Sequence, residues 1–98
     1  MLKSSKFLSL TQITELIMKI YDFNGSKNIC GKRVRSARKK LNLSQEELAA
    51  RLQLKGIILE RDSVSRIEIG TRFVADYELM VLSEILKVSL SYLLGIED

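Results

Sequence analysis

The chain contains no histidine and no proline, and only one cysteine, Cys30. A lone cysteine cannot close an internal disulfide, and without histidine nearly every protein zinc site loses its ligands. A cysteine-stapled secreted fold is excluded, no metal or cofactor is expected, and a reducing cytoplasm is the simplest home. There is also no activated-nucleophile motif and no phosphate-cradling glycine loop, so no catalytic residue is offered and an enzyme is not expected. Long apolar runs are missing too. The stretch from Ile13 to Ile20 is broken by Thr14, Glu15 and Lys19, which leaves it too short and too polar for a membrane span or a signal peptide. Finally, no acid occurs between Phe23 and Gln45, whereas that window holds Lys27, Lys32, Arg33, Arg35, Arg38, Lys39 and Lys40.

That last absence matters more than the net charge. Sixteen Lys and Arg against 12 Asp and Glu give a pI near 9.4, a mild bias toward an anionic partner. The bias becomes specific because the positive charge is concentrated in one segment. Ninety-eight residues are enough for a single domain with a modest core.

Apolar residues recur at spacings of three and four, which predicts helices throughout. Ser9 and Gln12 bracket a capping box, after which Ile13, Leu16, Ile17, Ile20 and Tyr21 form one stripe. Asn24-Gly25-Ser26-Lys27-Asn28 is turn chemistry without an apolar residue and reads as a linker. The division is therefore an N-terminal amphipathic helix and linker over 1–28 and a compact domain over 29–98. The first stripe fits burial against the domain, burial against a second subunit, or an unstructured lead.

Within the domain, Val34, Ala37, Arg38 and Leu41 share one face of a first helix, with Lys32, Arg35, Lys39 and Lys40 on its other faces. Ser44 and Glu47 form a second capping box, opening a helix whose inner face is Leu48, Ala49 and Leu52. Ile57, Ile58 and Leu59 bring the chain back to the core, and the next helix runs from about Arg61 to Gly70 with Val64, Ile67 and Glu68 inside. Asp76 is a good N-cap for a helix with the stripe Leu79, Leu82, Ile85 and Leu86. Ser89 caps a short last helix that Gly95 ends.

The ordered signatures L-S-Q-E-E-L-A from Leu43, V-S-R-I-E-I-G from Val64 and V-S-L-S-Y-L-L-G from Val88 resemble the Xre/Cro-like helix-turn-helix family of phage and bacterial repressors. The resemblance spans about Gly31 to Gly95. It implies an all-α, compact five-helix lambda-repressor-like DNA-binding bundle, here with an extra N-terminal helix. Ala49 sits where two helices must cross closely. Gln45, at a positive helix start, is placed to meet a phosphate, and the family glutamine has that role.

By the same resemblance the helix from Arg61 enters the major groove with Arg61, Asp62, Ser63, Ser65 and Arg66. Arg61 or Arg66 can clamp a guanine, and the two serines suit bases or phosphates. Asp62 either caps the helix or accepts from a cytosine amino group. Arg72 falls where relatives place a basic residue on flanking backbone, and Lys32, Arg33 and Arg35 add nonspecific contacts at the other edge. Lys39 and Lys40 read as a solvated face. The resemblance also pairs Arg38 with Glu68 as a partly buried ion pair that orients the recognition helix. The chain departs from the family in one place: about five additional residues lie within Gln53 to Arg61, and Glu60 stands where a capping Ser or Thr is usual.

These readings converge on a sequence-specific DNA-binding transcriptional regulator of repressor type, a homodimer on double-stranded DNA with a palindromic operator. Tyr92 and Ile96 of the last helix, or the N-terminal helix, offer a dimer surface. No membrane and no small-molecule ligand is expected. The alternative is a protein-interaction module on the same scaffold, such as an antitoxin.

Overall fold

The computed structural model describes residues 9–14 and 22–97. The chain forms α1 (Gly31–Lys40), α2 (Gln45–Leu54), α3 (Arg61–Ile69), α4 (Asp76–Leu86) and α5 (Leu90–Leu93), and no β-strand occurs among the described residues. Residues 10–14 form a helical stretch outside this bundle. Its start is closed as a reciprocal box: the Gln12 amide donates to Ser9 Oγ and the Ser9 amide to Gln12 Oε1. Leu16, Ile17, Ile20 and Tyr21 of the expected stripe lie outside the described residues.

The core is a single cluster built from Val34 and Ala37 of α1, Leu48, Ala49 and Leu52 of α2, Val64 and Ile67 of α3, Val81, Leu82, Ile85 and Leu86 of α4, and Leu93 of α5. The helical period explains most of this membership, since each helix lines up apolar residues three or four apart, and Cys30 and Leu59 join the cluster from outside the helices. Val81 lies just outside the expected α4 stripe and is buried because α4 packs on α1, α2 and α5 together. α3 packs against α1 and α2. Its exposed face carries Arg61, Asp62, Arg66 and Ile69.

Local chemistry sets the helix ends. Ser44 Oγ accepts from the Glu47 amide at 3.0 Å while Glu47 Oε1 accepts from the Ser44 amide at 2.8 Å. Ser89 Oγ accepts from the Tyr92 amide in the same manner. At α4 the expected cap shifts by one residue. Ala75 is the N-cap, Glu78 reaches back to accept from its amide at 3.0 Å, and Asp76 accepts only from Tyr77 N–H. A carboxylate three residues into the helix closes the amide ring that the Asp76 side chain, already inside the first turn, cannot.

The longer connection between α2 and α3 is ordered. Ile57 N–H donates to the Leu52 carbonyl at 2.9 Å, and Gln53 Nε2 donates to the Leu59 carbonyl at 3.3 Å. Of its three aliphatics only Leu59 is fully buried; Ile57 is half-buried and Ile58 faces solvent. The Leu59 amide donates to the Ile57 carbonyl at 3.0 Å, a tight turn centred on Ile58 that sends the three side chains different ways, so they cannot all reach the core.

The Asn24–Asn28 segment is not a free tether. Phe23 and Ser26 exchange backbone hydrogen bonds around Asn24 and Gly25, whose φ values of 52° and 83° make the tight hairpin turn that an Asn-Gly pair favours. The chain then docks on the end of α3, with Lys27 N–H donating to the Gly70 carbonyl at 2.7 Å. Polar residues were needed here for backbone bonding, which composition cannot distinguish from solvation.

Because the Ser44 box satisfies two otherwise orphaned amides at the start of α2, Ser44→Ala is expected to lower stability by about 1 kcal/mol. Urea denaturation should show this as a lower midpoint with an unchanged slope.

Candidate nucleic-acid interface

The inner side of α3 is bound to the bundle by a buried polar cluster. Arg38 Nε donates to Glu68 Oε2 at 2.6 Å and Arg38 Nη2 to Glu68 Oε1 at 3.0 Å. The third fork position, Nη1, donates to the Leu43 carbonyl at 2.8 Å. Gln45 Nε2 adds a further donor to Glu68 Oε1 at 3.0 Å. The two charged side chains are only 9% and 3% exposed. The Glu68 hydrogen bond raises the Arg38 guanidinium pKa above its ordinary value, against the effect of burial. One carboxylate thus joins residues from α1, α2 and α3.

That arrangement decides which way α3 faces. With Val64, Ile67 and Glu68 buried, Arg61, Asp62, Arg66 and Ile69 are exposed, and Ser63 and Ser65 are half-buried at the edges. Arg61 and Asp62 form a solvated ion pair at 3.1 Å. Asp62 makes no cap: Glu60 is the N-cap residue and supplies no side-chain bond. α3 therefore begins with amides that the protein's own side chains leave open.

Beside α3 runs an open groove of about 700 Å³, walled by Lys32, Arg35 and Lys39 of α1 and by Ser65 and Ile69 of α3, with Gln45 at its edge. Lys32, Arg35 and Lys39 are three and four residues apart, so they stand on one face of α1. Lys39, expected on a bland solvated face, shares this wall. Arg33 does not: its guanidinium lies 5.4 Å from the centre of the Tyr92 ring, and its Nη1 approaches the Tyr92 carbonyl at 3.4 Å. It serves the packing of α1 on α5.

Gln45 stands at the first position of α2, with its side chain oriented by Glu68. Arg72 follows the C-cap of α3 but turns inward. Its Nη1 and Nη2 donate to Glu78 Oε1 and Oε2 at 2.9 and 3.1 Å, and Nη1 also reaches the Phe73 carbonyl. Glu78 is buried. Burial would raise its pKa, but the Arg72 hydrogen bonds, the Ala75 amide and the Arg72 charge together hold it below its usual value. Sequence reasoning missed Glu78, whose signal was its place three residues after Ala75 and six after Arg72. Cys30 is buried as well, and burial pushes its thiol up to about 11, which keeps it protonated and unreactive.

Two outcomes follow from this geometry. Glu68→Ala strands a buried guanidinium and should lower stability by about 3–5 kcal/mol, with the double variant Arg38→Met/Glu68→Leu recovering much of the loss in denaturation. Glu78 has a folded pKa below its unfolded one, so its contribution is complete at neutral pH and fades as pH falls through the folded value. Glu78→Gln should therefore flatten the loss of melting temperature on acidification.

A helix-turn-helix family model matches residues 34–93, more than half of the chain. No curated protein and no solved structure matches. The match covers α2 and α3 in full, together with the Arg38–Glu68 pair that joins α1 to α3. Among the described residues no helix is long and apolar enough to cross a membrane. The matched span and the helix order together place this chain in the Xre/Cro-like helix-turn-helix family of DNA-binding regulators.

Proposed function

We propose that the protein is a sequence-specific transcriptional regulator of repressor type that binds operator DNA as a homodimer, with α3 in the major groove. The observation that carries this reading is the two-sided construction of α3. Its inner face is fixed by a buried ion pair, and its outer face presents Arg61, Asp62 and Arg66 beside a wall of Lys32, Arg35 and Lys39. A reading helix needs both a rigid mount and an unoccupied polar face flanked by phosphate-binding charge.

In this reading Arg66, Arg61, Ser63 and Ser65 contact base edges, and Arg66 suits two acceptors of one guanine. Asp62, which makes no cap, suits a cytosine amino group. Gln45 Nε2 has a second hydrogen beyond the one given to Glu68, available to a phosphate at the start of α2. Arg72 has most of its fork on Glu78 and Phe73, so we assign it to stiffening the loop after α3. The phosphate contacts pass to the Lys32, Arg35 and Lys39 row. One α3 reads too few base pairs to single out a genomic site, which calls for a second copy. The end of the bundle near α5, where Leu90 and Ile96 are exposed, offers it an apolar surface. Tyr92 belongs to the Arg33 contact instead.

Binding to random-sequence duplex should fall steeply and linearly in log–log form as salt rises, and Lys39→Gln should reduce that slope by about one. Arg66→Gln should lower discrimination among sequences more than it lowers random-duplex affinity. No binding even at low ionic strength would overturn the reading in favour of a protein-interaction module. Sedimentation of the full chain with and without duplex checks the dimer, and a monomer on a palindromic site would remove that part.

A further inference from the structure

We propose that Asn28 is a positioning residue that sets the tilt of α3 against α1, in a clasp formed by the segment from Ser26 to Gly31. Its side chain makes three hydrogen bonds and uses both amide hydrogens. Asn28 Oδ1 accepts from the Gly31 amide at 2.8 Å, while Nδ2 donates to the Ile67 carbonyl at 3.0 Å and to the Arg72 carbonyl at 2.7 Å. One acceptor meets one donor and two amide hydrogens meet two carbonyls. The flipped amide would set oxygen against two carbonyl oxygens, so the side chain has one workable orientation.

Two of the carbonyls this segment binds, those of Ile67 and Gly70, belong to the closing turn of α3, and that of Arg72 lies just past it. α3 ends at Gly70, whose φ of 95° and bonds from the Gly70 and Thr71 amides to the Arg66 carbonyl close the helix. The Gly70 amide also approaches the Ile67 carbonyl at 3.1 Å, and the clasp adds to this closure. Asn28 holds Ile67 and Arg72 on either side of the turn, Lys27 N–H holds the Gly70 carbonyl, and Ser26 Oγ contacts the same oxygen at 3.3 Å.

Space enforces the same approach. A methyl group at Gly31 would stand 2.2 Å from the Ile67 carbonyl oxygen, and one at Gly70 would stand 2.5 Å from Ser26 Oγ. The start of α1 and the end of α3 therefore touch backbone to backbone. Along α1, Gly31 and Arg38 are seven residues apart, roughly 10 Å of helix. The last turn of α3 is thus held at two separated places along α1, through Asn28 on the Ile67 carbonyl at one and through Arg38 on Glu68 at the other. Asn28 also reaches the Arg72 carbonyl past the helix end, so its hold spans the closing turn of α3.

The clasp residues precede residue 34, where the family match begins. That the tilt of α3 matters for reading bases rests on the proposed DNA-binding function; that Asn28 sets the tilt does not.

Asn28→Ser in the full chain separates the two roles of the side chain, because a serine oxygen can still accept a hydrogen bond but its single hydroxyl hydrogen cannot bridge two carbonyls. Ser89→Ala, a cap loss on distant α5, serves as the destabilised control. Residual dipolar couplings should show α3 reoriented relative to α1 in the Asn28→Ser chain and unmoved in the control. An unmoved α3 in both overturns the proposal. Should the variant not fold, the wild-type chain still decides: slow exchange of the Asn28 side-chain amide protons supports the clasp, and exchange as fast as in a solvated asparagine overturns it. For DNA, the probes are a duplex enriched by the wild-type chain from a randomised pool and a random-sequence duplex. Asn28→Ser should lower the ratio of the two affinities roughly tenfold, as expected when one bidentate base contact loses alignment, while random-duplex affinity is unchanged. An equal fall on both duplexes overturns the positioning role. Failure of the wild-type chain to enrich any sequence overturns the proposed function, and the couplings then still decide the clasp.

Discussion

The contact on which this structure depends is the fork of Arg38 on the carboxylate of Glu68. Hydrophobic burial draws α1, α2 and α3 together, but it is non-directional and accepts small rotations and slips among similar aliphatic side chains. A buried ion pair does not. Its donors and acceptors must meet within a few tenths of an ångström, and the penalty for leaving either charge unpaired is several kcal/mol. By adding Gln45 and the Leu43 carbonyl, the pair extends that intolerance to α2 and to the turn before it. The outward face of α3 is a consequence of what its inward face must satisfy.

Charge is sorted by the same logic. Glu68 and Glu78 are buried against arginines, and Glu47 closes a helix start, where the Ser44 amide and hydroxyl lower its pKa. Internal partners therefore take up acids that would otherwise repel phosphate, while Lys32, Arg35 and Lys39 remain outside on the groove wall. Three of the exposed acids, Glu46, Glu60 and Asp62, line a notch with Arg61 between α2 and the beginning of α3. The two ends of α3 thus differ in electrostatic character, with a basic flank toward Ile69 and two exposed acids, Glu60 and Asp62, at the other end. Such an asymmetry orients an anionic partner as well as attracting it.

The readable parts of the sequence were those governed by residues close in the chain. The inner faces of α1, α2 and α3, the Ser44 and Ser89 caps and the Gly70 stop all depend on partners within about one helical turn. Spacing alone did not say which of several distant partners a side chain would take. Arg33 and Lys39 are equally basic and lie on the same helix, yet one stacks on Tyr92 of α5 and the other faces the groove. Arg72 resembled a free phosphate contact because Glu78, buried beneath it, looks like any surface acid until α4 folds back. Asn24–Asn28 looked like a linker because the hydrogen bonds that dock it use side chains and backbone that composition also assigns to solvent.

The helices, their order and the family could be read before folding, because periodicity, caps and ordered motifs are written in local spacing, while the pairing of Arg38 with Glu68 came from the family resemblance. The tertiary structure alone decided how α3 is mounted: which basic residues flank it, that Arg72 turns inward, and that Asn28 bridges carbonyls about 40 residues further along the chain. The physical reason is reach. A hydrogen bond is satisfied by whatever lies within about 3 Å in space, and only the closed bundle says what that is.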